Sequence, residues 1–592
     1  LYLSIQVILN AIIIGFIAKA LVALISLITK LSFYGKFSIE ESSPADNHLG
    51  WWVILIPVIG GLLVGIMARI GSSAIRGHGI PEAMEQVLTN KSRIKPIITL
   101  LKPLSAAISI GTGGPFGAEG PIISTGGAFG SLTGQIMHIS PNERKIMLTA
   151  GATAGMAAIF GTPVAAVLLA IELLLFEFSP RSIIPVALGC ATGAAMHYAL
   201  FSDAPVFSMP SIPPAGTEAM ICYVAMGAVI GLIAAFVTKS VYFIEDMFEK
   251  LPIHWMWWPA IGSLAVGITG YFAPYTMGVG YSNISQLLSG NISIQLILGL
   301  CFLKFISWSI SLGSGTSGGT LAPLLTIGGA TGLGLGFIVT SLFPQVNISL
   351  PTCALIGMAA MFAGSARALL TSIVFAFETT LQPHGLLPLL GACTASYFVS
   401  FFMMKSSIMT EKINRRGVQT PDAYEPDILR ELVVEEVMDK NIPSVTANES
   451  IRAVLENSKI QNGYGAIIFN NGDKVSGVLN LKDLYEGTLK GHTTISELKY
   501  EEAFVSPATT LLAAITLMEE HKLDLLPVVS RQNKEKVVGV ITKHLILSAY
   551  RRRRDDSNEH QREISIRRSS YRLLAKTKML RKEQSKRSRG KS

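Results

Sequence analysis

Apolar residues run with little interruption from Leu1 to Met404, broken by short polar stretches such as 38–48 and 140–144. Between Lys250 and Lys304, 53 successive residues contain no Asp, Glu, Lys or Arg, and another 62 separate Lys304 from Arg367. A helix crosses the hydrocarbon core of a bilayer with about 20 predominantly apolar residues. The pattern therefore predicts a membrane domain over 1–410 with roughly ten or more helical spans. Beyond it, shorter apolar runs at 451–455, 466–469, 477–481, 511–518, 526–529 and 539–541 are set in polar sequence.

Charge follows the same division. Of the 592 residues 49% are hydrophobic and 15% charged, where soluble domains carry about a quarter charged. Residues 1–410 hold 17 basic and 15 acidic side chains, residues 411–550 hold 16 and 20, and residues 551–592 hold 16 and 5. The formal charge of +9 thus belongs to the C-terminal tail. The opening residues carry no charged leader, and no signal peptide is expected in them. Cys190, Cys222, Cys301, Cys353 and Cys393 stand singly in apolar sequence, which points to packing and not to a metal site.

The membrane domain contains a repeat. Residues 108–121 read ISIGTGGPFGAEGP and residues 310–323 read ISLGSGTSGGTLAP, an offset of 202. At the same offset Gly126, Gly127, Ala128, Gly130 and Gly134 match Gly328, Gly329, Ala330, Gly332 and Gly336, and Gly155-Met156-Ala157-Ala158 matches Gly357-Met358-Ala359-Ala360. One glycine-rich intramembrane segment would mean close helix packing. Two copies, each ending in a Pro that opens an apolar run, point further. In duplicated transporters, helices break near the midplane and direct unpaired N–H groups at an anion. Such a site needs no fixed cation, so the repeat indicates an anion path. Glu119 lies inside the first copy. An ionisable residue within the membrane is a functional candidate, and a carboxylate that occupies the anion's own position when ionised would be a gate. The competing reading is an N-cap acid.

These residues resemble the CLC chloride channels and proton-coupled chloride exchangers over about 50–410. Gly77-His78-Gly79-Ile80-Pro81-Glu82 is similar to the family's first anion-binding segment, Gly117-Ala118-Glu119-Gly120-Pro121 to its second, and Gly319-Thr320-Leu321-Ala322-Pro323 to its third. The resemblance implies a polytopic α-helical membrane protein, a CLC-type inverted repeat with broken helices, assembled as a homodimer with one pore per subunit. It implies Glu119 as gate, with His78, Gly79, Ile80, Ala118, Gly120, Thr320, Leu321, Ala322 and Ile408 around the anion. Chloride or a similar small anion is the expected cargo; no cofactor is required and no metal is expected.

Three positions depart from the family pattern. His78 replaces the usual Ser; its ring either donates N–H to the anion or turns away onto backbone. Ile408 stands about where the inner Tyr is expected, which removes a hydroxyl. Leu173 stands where proton-coupled members usually carry an internal Glu, which favours a passive channel. Glu172, or Glu177 four residues beyond Leu173 and so about one helical turn on, would have to serve as proton relay in an exchanger.

Residues 431–492 and 493–550 are similar halves that resemble a tandem pair of CBS domains, the cystathionine-β-synthase type, each a β-α-β-β-α unit, after a linker at 411–430. The resemblance implies a cytosolic α/β regulatory pair that could hold ATP, ADP or AMP through Asn480, Asp483 and Thr542. Only the first half keeps the pattern's Asp, so a dimerisation module without nucleotide is the other reading. Basic residues at Lys91, Arg93 and Lys95 and from Arg551 onward are expected on the cytosolic side. The tail over 551–592 is expected to be disordered, with contact to anionic lipid the sharper alternative; nucleic-acid binding is discounted. A CBS-gated divalent-cation channel would need clustered acids in the spans, and Glu119, Glu172, Glu177 and Glu378 stand in separate segments. A membrane-embedded hydrolase finds no paired His or Ser/His constellation.

Overall fold

In the computed structural model, residues 2–290, 292–418, 429, 432–456, 465–470, 474–530 and 536–553 are described. The tail from 554 on, and most of the linker at 419–431, lie outside the described residues. The chain divides into two compact units, Leu1–Tyr424 and Glu425–Ser592.

The first unit is helical. In its N-terminal half come α1 (Tyr2–Tyr34), α2 (Leu55–Ile70), α3 (Ile80–Leu88), α4 (Ile98–Gly111), α5 (Glu119–Ile136), α6 (Pro141–Phe160), α7 (Pro163–Leu169) and α8 (Pro180–Leu200). The second half gives α9 (Thr217–Glu249), α10 (Trp258–Phe272), α11 (Tyr281–Ser289), α12 (Ile294–Leu298), α13 (Lys304–Gly313), α14 (Leu321–Leu342), α15 (Leu350–Ala366), α16 (Leu369–Thr380) and α17 (Leu386–Met403), followed by α18 (Glu411–Arg415). Among the described residues, seven helices are long and apolar enough to cross a membrane, and four more apolar helices are shorter. The shorter ones reflect breaks: Pro163 and Pro351 sit in the first turns of α7 and α15, and Gly161 and Arg367 close α6 and α15 in the left-handed conformation.

The repeat governs packing. A Cβ at Gly126 would meet the Gly151 carbonyl oxygen at 2.3 Å, and one at Gly328 would meet the Gly357 carbonyl oxygen at 2.5 Å. Backbones of α5 and α6, and of α14 and α15, therefore touch through glycine, as membrane helices lacking a hydrophobic drive to associate tend to do. Gly357 is thus the structural mate of Gly151. The match of Gly155 with Gly357 at offset 202 is one helical turn out of register, because the offset becomes 206 beyond α5 and α14. Four residues are about one turn, so the same face is preserved and the slip is hard to see in sequence.

The second unit contains β1 (Ser444–Thr446), α19 (Ile451–Glu456), β2 (Gly465–Asn470), β3 (Lys474–Asn480), α20 (Leu481–Leu489), α21 (Leu511–Glu520), β4 (Leu525–Val529) and β5 (Val537–Thr542). β1 runs parallel to β2, β2 antiparallel to β3, and β4 antiparallel to β5. The halves interlock: Asp439 bridges to Val540, and Glu501 to Val478. Val434 accordingly lies in the core of the second half.

Candidate functional site

Three loops that precede helices converge inside the first unit. The Gly77 N–H donates to the Thr316 carbonyl (3.2 Å), and Gly117 and Gly319 exchange two backbone hydrogen bonds (3.3 and 3.0 Å). Each loop then opens a helix: α3 after Gly79, α5 after Ala118, α14 after Thr320. Side chains would prevent this approach. A Cβ at Gly120 would come within 2.1 Å of the His78 carbonyl oxygen and 2.8 Å of the Gly319 Cα. Gly79 is also at φ +95°, a conformation open to glycine and strained for other residues. The structure thus brings His78, Gly79, Ile80, Ala118, Glu119, Gly120, Thr320, Leu321 and Ala322 to one place.

Glu119 occupies the first turn of α5 and is fully buried. Its Oε1 accepts the backbone N–H of Ala322, in the first turn of α14, and its Oε2 accepts the hydroxyl of Tyr281 (3.2 Å). A carboxylate on the N-terminal amides of a helix is the arrangement that such a terminus offers any anion. His78 is buried, and among the described residues its Nδ1 has no hydrogen-bond partner; the same holds for the Thr320 Oγ1. That Nδ1 is therefore not turned onto backbone.

Two lysines hold the loops. Lys102 is fully buried and donates to the carbonyls of Ile75 and Gly77, both at 2.8 Å. Lys304, also fully buried, donates to Thr276 (2.9 Å) and Gly278 (3.0 Å). They are repeat mates at offset 202, a signal present in the sequence. Glu82 closes the first loop: its Oε2 accepts the Gly79 N–H (2.6 Å) and its Oε1 pairs with Lys412 of α18 (2.9 Å).

The other candidates are placed differently. Ile408 is buried, donates its N–H to Ser365 (2.9 Å), and its carbonyl accepts the Tyr242 hydroxyl (2.6 Å). Glu172 accepts N–H bonds from Leu370 and Thr371 (2.9 Å each) and the Thr371 hydroxyl (2.6 Å). Glu378 does the reciprocal thing, accepting from Val164 (3.0 Å) and Ala165 (2.8 Å). Each acid caps the helix of the opposite repeat. Glu177 pairs with Lys145 (3.5 Å), and Leu173 is buried. Among the described residues, no group of three His, Cys, Asp or Glu is arranged to hold a metal ion.

In the second unit, Asn480 and Thr542 stand where β3 and β5 turn into helices. The Asn480 side chain donates to the Lys522 carbonyl (2.9 Å), Asp483 accepts the Asn480 N–H (3.4 Å), and the Thr542 hydroxyl accepts the Leu545 N–H (3.2 Å).

Helices broken at the centre of a duplicated membrane unit, with a carboxylate seated on backbone amides, define an anion-transport protein. The family model described as "Voltage gated chloride channel" matches residues 59–401, and the CBS domain model matches 434–489 and 495–552. The chain belongs to the CLC family, whose members are transporters or channels and not enzymes, and it is a polytopic membrane protein carrying tandem CBS domains. It is 29% identical over 410 residues to "H(+)/Cl(-) exchange transporter ClcA" of Yersinia pseudotuberculosis serotype IB (strain PB1/+), covering 66% of this chain and 84% of the relative. To "Chloride channel protein CLC-e" of Arabidopsis thaliana it is 26% identical, covering 83% and 78%. A slow cyanobacterial Cl−/H+ antiporter shares the fold at TM-score 0.62 and 22% identity, over 69% of this chain and 98% of that one. A eukaryotic CLC transporter does so at TM-score 0.58 and 18% identity, over 92% and 97%.

Proposed function

We propose that this chain is a chloride channel, conducting chloride and similar small anions past a gate formed by Glu119 under modulation by the CBS pair. The observation that carries the reading is the seat of the Glu119 carboxylate, buried and bonded to the Ala322 N–H. There it takes the position an anion would take, so permeation requires it to leave. His78 and Thr320 contribute side-chain donors beside that path, and the backbone N–H groups of the three segments supply the rest.

Passive conduction is favoured over proton exchange by three side chains. Leu173 cannot carry a proton, Glu172 is committed to two N–H groups and a hydroxyl, and Glu177 is paired with Lys145. Exchange is the second reading, because relatives of comparable similarity bear exchanger names. The test is reconstitution in liposomes: chloride, but not gluconate, should leave down its gradient, and that gradient should drive no uphill proton movement. Proton uptake coupled to chloride efflux would make the protein an exchanger.

The functional unit in this reading is a homodimer in a lipid bilayer, with the CBS pair and basic tail in the cytosol. Asn480, Asp483 and Thr542 border the position for an adenine nucleotide. Because the Asn480 amide is already engaged, ATP, ADP or AMP would bind weakly. Isothermal titration of the full-length protein with each nucleotide decides between a nucleotide sensor and a dimerisation module.

A further inference from the structure

Gly278-Val279-Gly280-Tyr281 follows Gly77-His78-Gly79-Ile80 at an offset of 201. The structure makes the two stretches equivalents. Gly77, Gly79, Gly278 and Gly280 all have positive φ, α3 and α11 are both nine residues long, and a buried lysine holds each loop by two carbonyls. In the function proposed above, the first repeat uses this element as an anion-binding segment. In the second, the residue matching Ile80 is Tyr281, whose hydroxyl reaches the Glu119 carboxylate.

We propose that Tyr281 is a positioning residue that latches the gate in its seated, ionised form; this rests on the reading of Glu119 as the gate. The ring is held in place by Phe160 and Phe207, which pack edge-on against it at 5.8 and 5.9 Å. Lys304 sets the approach of the loop, and its ammonium acts on the Glu119 charge. Lys304 is the charged group acting on Glu119, and Tyr281 in turn feels the charges of Glu119 and of Glu41 in the loop after α1. A hydroxyl donor stabilises a carboxylate more than its protonated form. The Tyr281 bond therefore resists opening by acid, and opening requires a higher proton concentration than it would without the hydroxyl.

The experiment measures chloride efflux against pH for full-length protein in liposomes, as wild type, Tyr281→Phe, Glu119→Gln and the double variant. Removing a hydrogen bond to a charged group changes an equilibrium by about tenfold at the low end of such bonds. Tyr281→Phe should therefore move the half-activation pH up by about one unit, while in the Glu119→Gln background it should change flux by less than about twofold. Phe keeps the ring packing; Tyr281→Met replaces it if chromatography shows that the Phe variant does not assemble. A midpoint unmoved by the loss of the hydroxyl, with Glu119→Gln still flattening the profile, overturns the latch alone, as does an equal effect in both backgrounds. A pH profile that survives Glu119→Gln overturns the gate reading itself.

Discussion

Two acids with the same side chain have opposite situations in this molecule. Glu119 accepts the backbone N–H of Ala322 and the Tyr281 hydroxyl; Glu172 accepts two adjacent N–H groups and a hydroxyl at the start of α16. Losing the Glu172 acceptor strands the donors of the buried Thr371 at about 1–3 kcal/mol each, while the Leu370 N–H lies at an exposed position. Glu172→Ala should therefore lower the melting temperature by several degrees while leaving anion selectivity and proton coupling as in wild type, which thermal unfolding and paired chloride and proton flux assays would check. Glu119 was legible from sequence because a lone acid inside a glycine-rich intramembrane repeat has few structural uses. Tyr281 was not, since a neutral aromatic in apolar sequence carries no charge signal and its loop lacks the Pro and Glu of its mate. Lys102 and Lys304 were available as the paired cations of a charge-poor repeat, at the same offset as the glycines.

At the scale of elements, three cations tie α18 and the residue that follows it to the preceding helices. Lys412 pairs with Glu82, Arg416 with Glu85 on the same α3, and Arg415 with Asp246 near the end of α9 while lying 5.0 Å from the Tyr242 ring centre. Glu82 in turn accepts the Gly79 N–H, so the helix after the last apolar helix contacts the loop before α3 through one side chain. Both members of the Lys412–Glu82 pair are largely buried, at 20% and 15% side-chain exposure. Removing one partner of a buried pair costs about 3–5 kcal/mol when it leaves the other charge uncompensated, and less where water reaches it. Lys412→Ala is expected to reduce both thermal stability and chloride flux, and Lys412→Ala with Glu82→Gln to recover part of each; flux and melting of the single and double variants measure the coupling. None of this could be read from spacing, because the partners lie some 330 residues apart. The duplication could be read, down to its glycines, although the register slip from 202 to 206 could not: it conserves the helix face and leaves the local pattern intact.

Over the whole molecule, charge density divided the chain into a membrane unit and a polar unit, and the family matches at 59–401 and at 434–489 and 495–552 follow that division. The interlocking of the CBS halves was hidden, because strands that pair across halves look the same in sequence as strands that pair within one. In the proposed function an anion path passes through the place the Glu119 carboxylate occupies. Its most direct test is the pH dependence of chloride efflux from liposomes containing wild type or Glu119→Ala. With the carboxylate gone, efflux should be faster near neutral pH and nearly independent of pH, whereas wild type should conduct more as acid protonates and releases the gate. Equal rates and an unchanged pH profile in Glu119→Ala would contradict the account.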